Sequence, residues 1–291
     1  MTYSVVIRDP ITGEFGVAVQ SHWFNVGRIV PWLRSGVGAV ATQSLAEPLY
    51  GPRILDLLAT GASAEEALSA TLADDDEREV RQVAVVDAAG LVATHTGAGC
   101  IAQAAHLVGD GWSVQANIMR TESVVSAMAD AAAVDTPLIA RLLGVLQAAE
   151  EAGGDLRGSQ SAALLTTGSG PVRTADLRVE DHRDPIGEMH RLVALHRLYE
   201  EMSAGDDALA LGDQLAAARH YADAAADPRA NPEVRFWQAV GLAAMGEGDA
   251  ARAALRSAAA ENEDLLELLA RLREAGLVDE STAAILAGST D

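Results

Sequence analysis

The opening residues constrain the fold of this chain more than any other stretch. Residues 2–8 and 17–22 are runs rich in strand-forming residues, and a turn cluster with Pro10, Thr12 and Gly13 separates them. Two such runs joined by turn-forming residues predict a β-hairpin. We therefore expect a sheet whose first strand begins at the second residue.

Thr2, at the start of that strand, is a candidate nucleophile. Threonine is a small penultimate residue, so removal of Met1 is expected, which would leave Thr2 with a free α-amine beside its own hydroxyl. An α-amine has an ordinary pKa of about 7.7–8.0, so a fraction of it is neutral at physiological pH. A neutral amine beside a hydroxyl is a nucleophile with a built-in base. The alternative is that Thr2 merely begins a strand.

The charge of the chain excludes several classes of function. The formal net charge is −21, and all 21 basic residues are arginine. Without lysine the chain cannot form a lysine Schiff base or a lysine-containing phosphate loop. The negative charge disfavours binding to nucleic acid and to anionic membranes. The short acidic run Asp74–Glu77 is expected to be a solvated loop.

Cysteine and histidine give no support to a metal or cofactor site. Cys100 is the single cysteine, which excludes a disulfide framework and a cysteine-rich zinc site. His22, His95 and His106 lack metal-ligand spacing, and Gly97–Gly99 is too short for a dinucleotide fingerprint. We expect no metal and no cofactor. No signal-peptide pattern or membrane-length apolar run is present, so a cytoplasmic location is expected.

The order of predicted elements indicates two stacked sheets. Strand patterns at residues 37–43, 82–95, 112–117 and 161–179 follow the opening hairpin, and pairs of helices separate the strand groups. Single crossover helices, which a dinucleotide-binding fold would need, are missing from this order. The pattern fits two sheets with helices on both sides.

Beyond about Asp181 the sequence becomes alanine-rich and helical. Residues 34 positions apart correspond there: Gly212 with Gly246, Ala217 with Ala251, Tyr221 with Leu255, and Ala225 with Ala259. This period resembles the tetratricopeptide repeat, which binds protein partners. A small helical bundle is the alternative. The predicted domains are residues 1–183 and 184–291.

Four phrases distributed over the first domain resemble one family. They are Thr2–Val6, Gly16–His22, Val37–Gln43 and Gly153–Leu164. Together they resemble the domain-of-unknown-function family 1028 and, through it, the N-terminal-nucleophile (Ntn) hydrolases. The resemblance implies an α+β fold class, with an Ntn-hydrolase-like four-layer αββα sandwich followed by a small all-α, repeat-like domain.

A more distant resemblance, to proteasome β subunits, implies roles for particular residues. Thr2 would be the nucleophile, and the backbone amide of the oxyanion hole would fall near Gln43. Asn117 would take the place of a serine that follows the next central strand and would lie near a further oxyanion donor. Asp155 would take the place of a late aspartate and, with Arg28, would set the charge and position of the Thr2 amine.

Two positions depart from the proteasome pattern. Gln20 stands where the catalytic aspartate is expected, and Arg28 near the position of the catalytic lysine. Arginine supplies positive charge but does not accept a proton at physiological pH. The alternative interpretation is therefore a protein that keeps this fold, has lost catalytic activity and only binds a ligand. Arg28 is kept as a residue that would set the charge of the Thr2 amine.

The expected substrate contacts surround these residues. Arg157 and Gln160 suit recognition of a carboxylate or amide, or else hold their own loop. The full expected set of substrate-binding residues is Ser21, His22, Glu47, Arg157 and Gln160.

The sequence thus predicts an amidohydrolase for a small amide or N-acyl substrate. Thr2 is the expected nucleophile, and Cys100 is a weaker competitor for that role. The alternative is a catalytically inactive binding or assembly module whose C-terminal helices hold a protein partner. Self-association into a homo-oligomer is also expected.

Overall fold

The computed structural model describes residues 2–168, 170 and 172–288. The chain divides into two compact units, Met1–Val193 and Ala194–Asp291. The division falls inside one long helix, Pro185–Ala210, whereas the predicted domain boundary at 183/184 falls just before that helix.

The helices and strands alternate in groups. The strands are β1 (Thr2–Arg8), β2 (Phe15–Ser21), β3 (Pro31–Arg34), β4 (Gly38–Ser44), β5 (Arg81–Asp87), β6 (Val92–Thr96), β7 (Ala105–Gly109), β8 (Trp112–Asn117), β9 (Ser161–Thr167) and β10 (Arg173–Val179). The α-helices are α1 (Tyr50–Ala59), α2 (Ala64–Ala73), α3 (Ser123–Ala132), α4 (Leu138–Glu151), α5 (Pro185–Ala210), α6 (Gln214–Ala226), α7 (Pro232–Ala244), α8 (Gly248–Glu261), α9 (Asp264–Glu274) and α10 (Glu280–Ala287). The class is α+β.

The strands form two antiparallel sheets within the described part of the chain. One sheet has the order β10-β9-β2-β1-β8-β7, and the other has the order β3-β4-β5-β6. The predicted order of elements lacks the edge strands β3 and β7. The side chains of β7 are largely exposed and therefore show no alternation. Strand β1 lies in the interior of the larger sheet, between β2 and β8.

The structure confirms the predicted opening hairpin. The Asp9 carboxylate accepts hydrogen bonds from the backbone N–H groups of Ile11 and Thr12, both at 2.8 Å. Gly13 has a φ of 74°, which glycine adopts at no steric cost. This turn sets the pairing of β1 with β2, in which Thr2 lies opposite Ser21.

Alternating side chains divide the apolar residues of the sheets between two faces. Val6, on β1, packs between the sheets together with Val17, Val19 and Val86. Its neighbour Val5 faces the other way, because successive side chains of a strand point to opposite faces. That outer face packs against α3 and α4. The outer face of the smaller sheet packs against α1 and α2.

The second unit consists of helices with their own apolar clusters. Buried residues of α7 and α8 form one cluster with α9 and α10. Helices α6 and α7 contribute to another. Across all described helices, none is long and apolar enough to cross a membrane.

Leu142 provides a test of the core beneath β2. Its side chain is fully buried, and its Cδ1 occupies the space that a Cβ on Gly16 would need, at 2.5 Å. We expect Leu142→Ala to lower the free energy of unfolding by about 2–5 kcal/mol, because burial is lost and a cavity remains. Urea denaturation followed by circular dichroism measures the change.

Leu91→Ala is the matched control for that measurement. Leu91 is 59% exposed, so the same truncation is expected to change stability by less than about 0.5 kcal/mol. Equal effects of the two substitutions would contradict the placement of Leu142 in the core.

Candidate active site

Polar side chains cluster at one end of the layer between the sheets. Thr2 and Ser4 of β1 share a face with Ser21 of β2 and with Gln115 and Asn117 of β8, because Thr2 pairs directly with both Ser21 and Asn117. Directly paired residues of antiparallel strands place their side chains on the same face. The apolar layer between the sheets therefore ends in a polar region next to Thr2.

Thr2 is held in place from two sides. Its side chain is buried, and Oγ1 donates a hydrogen bond to Ser21 Oγ at 3.1 Å. Its carbonyl oxygen accepts a hydrogen bond from Gln43 Nε2 at 3.2 Å. Thr2 lies on an interior strand of its sheet with Gln43 and Asn117 beside it, whereas Asp155, which was expected to converge on the same pocket, is not among the residues that line it.

A cavity of about 480 Å³ opens at this polar end. Its polar lining residues are Thr2, Ser21, Gln43, Ser44, Arg81, Asn117 and Arg157. Its apolar lining residues are Trp23, Val26, Ile29, Val30, Leu45, Ala46, Pro48, Gly99, Ile101 and Ile118. The cavity thus presents three hydroxyl groups, two amides and two guanidinium groups within a largely apolar wall.

Gln82, which the sequence analysis did not select, crosses from the smaller sheet to the backbone of the larger one. Its Nε2 donates to the carbonyl oxygens of Ala105 at 3.2 Å and Ala116 at 3.0 Å. Carbonyl oxygens only accept hydrogen bonds, so this end of the amide must be the nitrogen. Gln82 Oε1 consequently faces the site, where it accepts from Gln43 Nε2 at 2.7 Å and Asn117 Nδ2 at 2.9 Å.

These bonds determine the direction of the Asn117 amide. With Nδ2 bound to Gln82, the other end of the amide is Oδ1, which is buried and has no hydrogen-bond partner among the described residues. Asn117 is fully buried and lines the cavity. The unsatisfied hydrogen-bond acceptor therefore belongs to a residue of the cavity wall.

Gln43 is a structural member of the same network. Besides Thr2 and Gln82, its Nε2 contacts the Gln115 carbonyl oxygen at 3.3 Å, and its Oε1 accepts from Ser4 Oγ at 2.7 Å. An amide nitrogen has two hydrogens, and both are engaged by these acceptors. The Gln43 side chain is therefore not available to donate to a substrate.

The network is uncharged along its length. At its outer end Thr96 Oγ1 accepts from Gln82 Nε2 at 3.0 Å and lies 2.8 Å from His106 Nδ1. Burial lowers the pKa of His106, and the neighbouring His95 lowers it further. The imidazole is accordingly neutral at pH 7.

Asp155 and Arg157 act as a unit beside the cavity. The Asp155 carboxylate is inaccessible to solvent and accepts from Arg157 Nε at 3.2 Å and Nη2 at 2.9 Å. It also accepts from the backbone N–H groups of Arg157 at 2.8 Å and His22 at 3.3 Å. Arg157 lines the cavity and Asp155 does not. Asp155 therefore reaches the site through the guanidinium that it orients.

Arg81 is a second residue that the sequence analysis missed. It lines the cavity and donates to the Leu45 carbonyl oxygen at 2.6 Å. Asp75 and Glu77 accept from its guanidinium at 2.9 Å each. The acidic run at 74–77, expected to be solvated, thus holds Arg81. The hydrogen bond from Arg81 is the main reason why the pKa of Asp75 falls to about 2.

Several predicted site residues lie outside the cavity. Arg28 is exposed and is not among the residues that line it. The Glu47 carboxylate accepts from the backbone N–H of Leu49 at 3.0 Å. His22 and Gln160 line a separate open depression, where Gln160 Nε2 donates to Asp181 at 3.0 Å.

Cys100 and Gln20 also lie outside the cavity lining. Cys100 Sγ donates to the Arg81 carbonyl oxygen at 3.3 Å, and the cavity lining includes its neighbours Gly99 and Ile101 instead. Gln20 is fully buried opposite Tyr3, so it faces the helices and not the cavity.

Backbone strain is concentrated around the cavity. Asn25, Ser44 and Ile118 have positive φ values of 54°, 72° and 56°. Ser44 and Ile118 line the cavity, and Asn25 immediately precedes the lining residue Val26. A left-handed conformation is unfavourable for non-glycine residues, most of all for β-branched isoleucine. Such strain is typical of functional sites, where surrounding contacts maintain it.

The fold and site define an α+β protein with a threonine-containing cavity at the end of two facing antiparallel sheets. The family of unknown function DUF1028 matches residues 2–189, and the chain belongs to this family. Protein SPO2555 from Silicibacter pomeroyi, itself described as DUF1028, is 30% identical in sequence. The alignment covers 66% of this chain and 84% of that chain, with a TM-score of 0.62.

A second solved structure is more distant. Anbu, the ancestral β-subunit from Yersinia bercovieri, is 11% identical, with 68% of this chain and 95% of that chain covered. Its TM-score of 0.36 is too low to support an argument about fold or function. None of the curated proteins matches the sequence.

The Asp75–Arg81 pair generates a pH-dependent prediction. Because the pKa of Asp75 is lowered in the folded state, the pair stabilises the fold above the ordinary pKa of 3.8 and loses this contribution as the pH falls towards 2. We expect Asp75→Asn to destabilise the protein by about 1–2 kcal/mol at pH 7 and by much less near pH 2. Urea midpoints at pH 7, 5, 3 and 2 measure this.

Asp76→Asn is the matched control, since it removes the same charge from an exposed neighbour. It is expected to leave the urea midpoint nearly unchanged at every pH. A pH-independent effect of Asp75→Asn would show that its carboxylate charge does not stabilise Arg81.

Proposed function

We propose that this protein is an amide hydrolase in which Thr2, as the first residue of the mature chain, is the nucleophile. The observation that carries the proposal is the position of the Thr2 hydroxyl, buried at the end of a central strand and lining the cavity. The described residues that line the cavity include no carboxylate, histidine or cysteine. The α-amine of Thr2 itself is then the base within reach of its hydroxyl.

The proposed reaction has two stages. Thr2 Oγ1 attacks the amide carbonyl carbon while its proton moves to the α-amine. The carbon–nitrogen bond then breaks, and the resulting ammonium group protonates the leaving nitrogen. Water, deprotonated by the same amine, hydrolyses the acyl ester and regenerates Thr2. Ser21 Oγ, 3.1 Å from Thr2 Oγ1, supports this role by restricting the rotamer of the nucleophile.

Stabilisation of the oxyanion is assigned to the backbone next to Gln43. The Gln43 side chain is fully engaged, and Asn117 directs its Nδ2 to Gln82. The Ser44–Ala46 segment follows Gln43 and lines the cavity. The Leu45 N–H donates to the Val80 carbonyl oxygen at 3.3 Å, so the backbone N–H groups of Ser44 and Ala46 are the proposed donors. Preorganised donors of this kind contribute several kcal/mol to a transition state.

The charged residues are assigned indirect roles. Asp155 is proposed to orient Arg157, and Arg157 to contact the substrate from the cavity wall. Arg28 is exposed, and solvent screening weakens the effect of an exposed charge on the Thr2 amine. We therefore place the positive charge of the site on Arg157 and not on Arg28.

We infer an Ntn-hydrolase-like αββα scaffold for the first unit. Two facing antiparallel sheets, α3 and α4 against one sheet, and α1 and α2 against the other support this assignment. A cytoplasmic location and self-association into a homo-oligomer remain parts of the proposal.

For the second unit we propose a tetratricopeptide-like repeat that holds a protein partner. Gly212 and Gly246 both have positive φ values, 78° and 81°, just before helices that begin 34 residues apart. Ala217 and Ala251 are both fully buried in those helices. The repeated backbone and the repeated burial support a 34-residue unit.

The second candidate function is binding without catalysis. If Thr2 keeps a preceding residue, no amine base is present, and the titratable side chains in the described cavity lining are Arg81 and Arg157. Arginine does not accept a proton at physiological pH. The cavity would then hold a small molecule without hydrolysing it.

Processing of the N-terminus separates the two functions. We expect intact-mass spectrometry of the purified protein to give the mass of a chain that begins at Thr2. Quantitative retention of Met1 would favour the binding module, because the proposed base would not exist.

The nucleophile is tested by substitution. Thr2→Ala removes the hydroxyl but keeps a small residue that permits methionine removal, and it is expected to lower kcat by about 10⁴-fold or more. Thr2→Ser keeps both groups and should retain partial activity. Hydrolysis of a panel of small N-acyl amides is the assay.

Cys100→Ser is the control for the competing nucleophile. Cys100 lies outside the described cavity lining, so this change is expected to alter kcat less than about two-fold. Full activity of Thr2→Ala together with loss of activity in Cys100→Ser would transfer the chemistry to the thiol.

A further inference from the structure

We propose that the cavity selects neutral secondary amides with apolar substituents, and that Asn117 Oδ1 accepts the N–H of the substrate amide. This inference rests on the proposed function and names the substrate class of the same site. Gln82 is assigned as the positioning residue that directs Asn117 Oδ1 into the cavity.

The direction of the Asn117 amide follows from a chain of fixed donors and acceptors. The carbonyl oxygens of Ala105 and Ala116 require the nitrogen of Gln82 on their side. Gln82 Oε1 then requires a donor from Asn117, which is Nδ2. Reversing Asn117 would place two oxygens in contact, so the bonds of Gln82 permit a single orientation.

The unsatisfied oxygen needs a donor. Asn117 is fully buried, and its Oδ1 has no partner among residues 2–168, 170 and 172–288. A buried acceptor without a partner is unfavourable, and a ligand that brings an N–H to it recovers the lost hydrogen bond. An ester brings an oxygen to this point and an N-methyl amide brings a methyl group, so both leave the acceptor unsatisfied.

The acceptor lies beside the reacting atom. Thr2 and Asn117 are directly paired on β1 and β8 and face the same side. Side chains in such pairs have Cβ atoms about 4.5–5.5 Å apart. That separation suits an amide whose carbonyl carbon meets Thr2 Oγ1 while its nitrogen meets Asn117.

Apolar side chains at the cavity favour an apolar substituent. Trp23, Leu45 and Ile101 line the cavity and are 58%, 62% and 59% exposed. Large apolar side chains grouped around a cavity with a few polar atoms are typical of a ligand site. The carboxylate of Asp155 balances the charge of Arg157, and Asp75 and Glu77 balance that of Arg81. A neutral ligand therefore matches the wall better than an ionic one.

The test uses three probes that differ only in the group bound to the carbonyl carbon, which is N–H, N–CH3 or O. They are N-butylhexanamide, N-butyl-N-methylhexanamide and butyl hexanoate, titrated calorimetrically into full-length Thr2→Ala protein, which cannot use Thr2 to cleave them. We expect the secondary amide to bind about 10-fold or more tightly than the other two. This measurement does not depend on catalysis.

Two variants, each combined with Thr2→Ala, assign the preference to the proposed residues. Asn117→Leu removes the acceptor, and Gln82→Met removes the bonds that orient it. Both are expected to reduce the preference for the secondary amide to about two-fold or less. Gln147→Met makes the same glutamine substitution on α4, away from the cavity lining, and should leave the preference unchanged. Thermal unfolding verifies that each variant is folded.

The outcomes separate this inference from the proposed function. Equal affinity for all three probes, or no binding of the secondary amide, overturns the inference, even if the wild-type protein hydrolyses amides through Thr2. A preference that disappears in Asn117→Leu supports the inference. It would do so even if the wild-type protein shows no hydrolysis, a result that would overturn the proposed function alone.

Discussion

The site depends on a chain of uncharged amides that joins the two sheets. Gln43 and Gln82 belong to the smaller sheet, and through them the backbone and side chains of the larger sheet are held at fixed distances from Thr2. Buried amides avoid the large desolvation cost of buried charges, but they require nearly complete hydrogen bonding. The network meets this requirement except at Asn117 Oδ1, and Asn117 is one of the residues that line the cavity.

Other contacts keep the surrounding wall in position. Asp155 holds Arg157, and Asp75 holds Arg81, which in turn binds the backbone of Leu45. The strained residue Ser44 lies in the chain between Gln43 and Leu45, and the strained residue Ile118 directly follows Asn117. Strain persists only where neighbouring contacts enforce it. The cavity is therefore preformed, with the Arg81 and Arg157 ion pairs in its wall and neutral groups next to Thr2.

Prediction from the sequence succeeded where the signal is local or periodic. The opening hairpin and the alternation of strand groups with helix pairs were predicted and observed. Of the residues expected to converge on Thr2, Gln43 and Asn117 line the cavity and Asp155 does not. The expected role of Arg28 came from an approximate alignment, and Gln160 was selected as a polar residue in the loop beside Asp155. Neither of them, nor Glu47, is among the residues that line the described cavity. Gln82 and Arg81 gave no signal, because a polar residue next to a strand pattern is ordinary in a sequence.

The sequence by itself determined the local geometry. Asp9 and Gly13 specify the first turn, and the glycines at 212 and 246 mark the starts of two similar helices, since each acts on its immediate neighbours. Only the tertiary structure decided which atoms face the cavity. The Asn117 amide takes its direction from Gln82, and Gln82 takes its direction from carbonyl groups of another sheet. Residues so far apart in the chain meet only after both sheets have formed, so no local pattern could specify that orientation.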